Sequence, residues 1–79
     1  MVSIKSGHKD RRHQSEFGAR LREARERAGL SIEELASKMS VGLSTAYCWE
    51  AGKRMPRNLL KLARTVRTSV GALYGERAA

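Results

Sequence analysis

Residues 31–52, S-I-E-E-L-A-S-K-M-S-V-G-L-S-T-A-Y-C-W-E-A-G, constrain the chain more than any other stretch. Ser31 and Glu34 have the S-x-x-E spacing of a capping box, in which each side chain satisfies the other residue's backbone N–H. Ile32, Leu35, Ala36 and Met39 then fall at i, i+3, i+4, i+7, one face of a helix. Ser40-Val41-Gly42 breaks that helix. A second helix is predicted from about Leu43 to Ala51, with Gly52 as its stop. In this second helix only Ala46 and Trp49, with Glu50 beside them, share an inward face. Ser44 and Cys48 point the other way, flanked by Tyr47 and Ala51. Two short helices joined by a tight turn, the second with so narrow an apolar stripe, leave an outer face free for a partner.

Charge suggests what that partner is. The chain of 79 residues is one domain at most, and its formal charge is +8, with 16 Lys and Arg of which 11 are Arg. A polyanion is the expected partner, with nucleic acid ahead of an anionic membrane. No apolar run reaches the ~20 residues of a membrane span. The first fifteen residues contain no signal-peptide apolar region. A single Cys rules out an internal disulfide framework and fits a reducing cytosol.

The remaining segments supply three more helices. Ser15 is expected to cap a first helix from Glu16 to about Ala28, burying Phe17, Leu21, Ala24 and Ala28, with Gly29 ending it. Leu59, Leu62, Ala63 and Val66 give a fourth helix its stripe. Ser69 opens a short last helix with Val70, Leu73 and Tyr74. Residues 1–14 are basic and polar, and are expected to form a flexible arm. Residues 15–75 form the domain and 76–79 a tail. From Val41 onward there are seven cations against two acids, a net of +5, while residues 16–40 net zero. The positive field therefore sits with the second helix of the pair and the loop after it.

Leu35-Ala36, Val41, Trp49-Glu50-x-Gly52-Lys53 and Pro56, in that order and spacing, resemble the helix-turn-helix of the Cro/C1-type (XRE-like) family. Phe17-Gly18-x-Arg20-Leu21-Arg22-x-x-Arg25 resembles its first helix. Leu59-Leu60-x-Leu62-Ala63 and Val70-x-x-Leu73 resemble its last two. The shorter spacing from Pro56 to Ala63 is similar to the lambdoid phage repressors. The match spans Glu16 to Tyr74.

This resemblance implies an all-α, five-helix, lambda-repressor-like domain with the helix-turn-helix at helices 2 and 3. It implies a sequence-specific regulator, a phage- or prophage-type repressor binding a palindromic operator through the major groove. Base contacts carried over are Leu43, Ser44 and Cys48, with Thr45 and Tyr47 at the edge. Lys53, Arg54 and Arg57, three cations within five residues, suit phosphates. Arg11 and Arg12 in the arm suit phosphates or a minor groove, against the alternative of a merely solvated tail. Arg25 is placed beside Glu50, and because Glu50 is next to Trp49 on the inward side, it needs a partner. Val70, Leu73 and Tyr74 are the two-fold contact, few enough that the homodimer is expected to be weak and stabilised on DNA.

Departures from the family pattern bear on function. Ile32 stands where the family has a phosphate-contacting Gln. Ser40 stands where a Gly is usual because φ > 0 is wanted. Ala46 is smaller than the usual branched residue. None of the base-facing positions is Gln, Asn or Arg, so bidentate readout is largely missing and thymine methyls gain weight. Cys48 reads either as a redox-sensitive thiol or as a small residue tolerated at a contact. His8 and His13 lack a second ligand pair at zinc spacing, so neither a metal nor another cofactor is expected. No nucleophile–base–orienter set exists, Glu33 and Glu34 face apart, and no enzymatic activity is expected.

The expected partner is double-stranded DNA, with no membrane association, in the cytoplasm at the nucleoid. One alternative is an antitoxin-like interaction module whose Leu43/Tyr47/Cys48 face docks a protein. Another is a basic membrane-surface peptide, which Gly29, Gly42, Gly52 and Pro56 break too often to allow.

Overall fold

In the computed structural model, the backbone is described for residues 5–75 and the side chains for residues 16–75. Among the described residues there are five helices and no strand: α1 Lys5–Arg27, α2 Ile32–Met39, α3 Leu43–Ala51, α4 Leu59–Thr65 and α5 Val70–Leu73. Residues 1–4 of the expected arm and the expected 76–79 tail lie outside the described residues.

Most local starts follow the capping chemistry. The Glu34 N–H donates to Ser31 Oγ at 3.0 Å, and the Ser31 N–H donates to Glu34 Oε1 at 2.8 Å, completing the capping box of α2. Asn58 caps α4 through Lys61 N–H at 3.0 Å, and Ser69 caps α5 through Ala72 N–H at 3.0 Å. The exception is α1. It begins at Lys5 rather than after a cap at Ser15. Lys, Arg and Gln are good helix formers and no proline precedes Ser15, so nothing obliges the helix to start there. A Ser caps a helix only where the residues before it leave helical geometry.

The turn between α2 and α3 resolves the question posed by Ser40. Ser40 itself takes the left-handed conformation, φ 58 and ψ 44, and Gly42 is extended at φ −71. The cap is closed by Ser40 N–H to Ser37 O at 3.1 Å and Val41 N–H to Ala36 O at 2.9 Å. A side chain thus occupies a region that costs L-residues about 1–2 kcal/mol, and the turn tolerates it.

One core joins the helices. Phe17, Leu21 and Ala24 of α1 meet Ile32, Leu35, Ala36 and Met39 of α2, Ala46 and Trp49 of α3, Leu62, Ala63 and Val66 after α3, and Leu73 of α5. Helix α3 lies between α1 and α2, while α4 closes on α2 and α5 on α1 and α4. Leu73 is 1% exposed. It is a core residue and cannot also reach a second copy, which corrects its expected place in a two-fold contact. The single helix turn of α5 has only one side facing the core, and Leu73 occupies it. The expected stripe residues Ala28 and Leu59 are only partly buried.

Candidate nucleic-acid interface

Helix α3 owes its position to α1. Gly18 on α1 lies against the backbone of α3: an added Cβ would stand 2.8 Å from the Trp49 carbonyl oxygen and 2.7 Å from the Glu50 carbonyl carbon, with the Glu50 oxygen closer still. Only a residue without a side chain permits that approach. About two turns further along α1, Arg25 Nε donates to Glu50 Oε2 at 2.6 Å and Nη2 to Oε1 at 3.3 Å. Arg25 Nη1 also donates to the Leu30 carbonyl at 2.8 Å. The two side chains are 12% and 10% exposed. The hydrogen bond to Glu50 raises the Arg25 pKa above its ordinary value; desolvation works against it and loses. This fork fixes the end of α3 and the α1–α2 turn together.

With Ala46 and Trp49 turned into the core, α3 presents Leu43, Ser44, Tyr47 and Ala51 outward. Leu43 is 40% exposed and Tyr47 53%. Thr45 and Cys48 are only half-buried flanks. The outward face therefore centres on Ser44 and Tyr47 rather than on Ser44 and Cys48. The reason is the chain after the helix: Lys53 N–H and Arg54 N–H both donate to the Cys48 carbonyl, at 2.9 and 3.4 Å, bringing the loop back beside Cys48. Helix α3 also differs from α2, α4 and α5 in having no side-chain cap; its N-cap is Gly42. Its first N–H groups are left without a protein side-chain acceptor, which suits an anion.

Cations divide into two sets. Arg20, Arg22 and Arg25 form ion pairs with Glu16, Glu26 and Glu50. Among the described residues, Arg27, Lys38, Lys53, Arg54, Arg57, Lys61, Arg64 and Arg67 form none. Lys53, Arg54 and Arg57 are exposed and lie in the loop between α3 and α4, next to the outward face. The side chains of Arg11 and Arg12 lie outside those described, though their backbone belongs to α1. Val70 is half-buried, and Tyr74 is 52% exposed with its ring 5.4 Å from that of Phe17.

Sequence reasoning gave Gly18 no role of its own. The available signal was a glycine set inside an otherwise regular helical stripe, where glycine costs ~1 kcal/mol relative to alanine and calls for a reason.

A family model described as a helix-turn-helix domain matches residues 16–73. No curated protein and no solved structure matches the chain.

Proposed function

This chain belongs to the helix-turn-helix domain family, and from that premise we propose that it is a sequence-specific regulator that binds duplex DNA through α3 in the major groove. The observation that carries the reading is the pairing of an exposed, uncapped α3 with a loop of cations that have no acidic partner among the described residues. Lys53, Arg54 and Arg57 hold phosphates, and the N-terminal stretch with Arg11 and Arg12 adds to the backbone contacts. Leu43, Ser44 and Tyr47 read the base edges, with Thr45 and Cys48 at the margins. Short and apolar side chains favour thymine methyls and groove shape over bidentate hydrogen bonds. We read the protein as a phage-type repressor acting in the cytoplasm on a palindromic operator, as a weak dimer through Tyr74 and Val70 that DNA stabilises.

The second reading, a protein-docking module, draws on the exposure of Leu43 and Tyr47. Salt separates the two. Selection from a random duplex pool, followed by affinity measurements at several salt concentrations, tests the assignment. DNA binding requires a steep fall of log K with log[salt] and a recurrent, palindromic motif. Arg54→Ala should weaken operator and scrambled duplex alike and lower the salt slope by about 1, whereas Ser44→Ala and Leu43→Ala should shift sequence preference by about 1–3 kcal/mol per base pair. If neither α3 substitution changes the ratio of specific to non-specific affinity, α3 is not the reader.

A further inference from the structure

A groove of about 420 Å³ runs between the end of α2, the inner flank of α3, the loop after it and α4. Its apolar lining is half-buried Val41 and Met55, with the edges of the core residues Met39 and Trp49 beneath them, and Arg54, Arg57 and Lys61 stand around it, with no acid among the lining residues. Those three cations make no ion pair among the described residues. The volume lies within the range of small-molecule sites, which are mostly apolar with a few convergent polar groups. We propose that this groove binds a small amphipathic anion, an alkyl or aryl carboxylate, with its apolar body over Val41 and Met55, above the edges of Met39 and Trp49, and its carboxylate among the Arg54, Arg57 and Lys61 side chains. The charge pattern selects this class. An uncharged apolar ligand would gain nothing from the three cations at the mouth, and an inorganic anion would gain nothing from the apolar lining. Methionine side chains suit a ligand of variable shape. Because Arg54 and Arg57 are also the residues assigned to DNA phosphates, the anion and the duplex compete for them; this second statement rests on the DNA-binding reading, the first does not.

Octanoate below its micellar concentration is the probe, with octan-1-ol and octylammonium as neutral and cationic counterparts. Free protein is titrated while the methyl resonances of Met39 and Met55 are followed, with Leu21, buried away from the groove, as reference; fluorescence of the sole Trp gives a second signal. Saturable shifts at Met39 and Met55 are expected, with octanoate binding at least about tenfold tighter than octanol and octylammonium weakest. Arg57→Gln with Lys61→Gln, both on exposed side chains, should remove the preference for octanoate over octanol and leave the melting temperature in place. Shifts that remain linear in ligand, that include Leu21 equally, or that are the same for octanol and octanoate overturn the site. In a separate arm, octanoate is added to protein bound to the selected duplex. Displacement is expected, and tight duplex binding undisturbed by saturating octanoate overturns the competition. If no duplex is bound at all, the DNA reading fails and the free-protein titration still decides the groove.

Discussion

An alanine at position 18 would place a methyl carbon 2.8 Å from the Trp49 carbonyl oxygen and closer to that of Glu50. Both atoms are backbone, so neither can swing aside. The helix-propensity gain of about 1 kcal/mol is then outweighed by an overpacking cost of roughly 1–3 kcal/mol and by whatever displacement of α3 relieves it. Gly18→Ala should lower the melting temperature, and duplex affinity should fall further than the loss of folded protein explains; unchanged melting would show that the helices do not approach this closely. Ser40 and Arg67 pose the opposite case. Both are non-glycine residues at φ 58, and glycine there removes the left-handed strain at the cost of greater unfolded-chain entropy. Ser40→Gly should stabilise the domain by about 0.5–1 kcal/mol in urea unfolding, provided the m-value is unchanged. The residue type at Ser40 was legible as a misfit, since the family pattern has glycine there. Which residue of Ser40-Val41-Gly42 absorbs the strain was not, because that depends on how α3 docks.

At the scale of elements, the capping signals and apolar spacings of α2 to α5 were readable because each is a local agreement among residues within one or two turns. The start of α1 was not. Ser15 looks like a cap, yet the residues before it continue the helix. The Arg25–Glu50 fork is the main polar tie between α1 and α3. With both side chains nearly excluded from water, removing one partner strands the other, at roughly 3–5 kcal/mol. Arg25→Met and Glu50→Gln should each lower stability by that order, a large part of what a domain of this size has, and the double variant should lose less than the two losses added. Thermal melts of all three provide the measurement. The pH dependence has a definite sign on the arginine side. A raised Arg25 pKa means its stabilisation is fully present below the ordinary arginine value and is lost only as pH rises through the folded value. No loss from this group should therefore be seen anywhere near neutrality.

For the whole molecule, the burial of Leu73 changes what self-association can rest on. Tyr74 and half-buried Val70 remain, and Tyr74 already leans on Phe17. Free protein should sediment as a monomer at micromolar concentration, and Tyr74→Asp should weaken binding to a palindromic duplex more than to a single half-site, with half-sites about 34 Å apart. Equal weakening of both would rule out Tyr74 as part of the proposed two-fold contact. The Gly18 contact and the Arg25–Glu50 fork carry a separate consequence. They hold α3 from its inner side, and neither the Gly18 contact nor the hydrogen bonds of the fork involve the side chains of Leu43, Ser44 or Tyr47. The outward face proposed to read DNA is thus free to drift while the frame beneath it stays under constraint. A new binding preference can arise by a few substitutions on that face without a matching loss of folding. A library randomised at those three positions should therefore melt near the parent and yet diverge in the duplexes it selects.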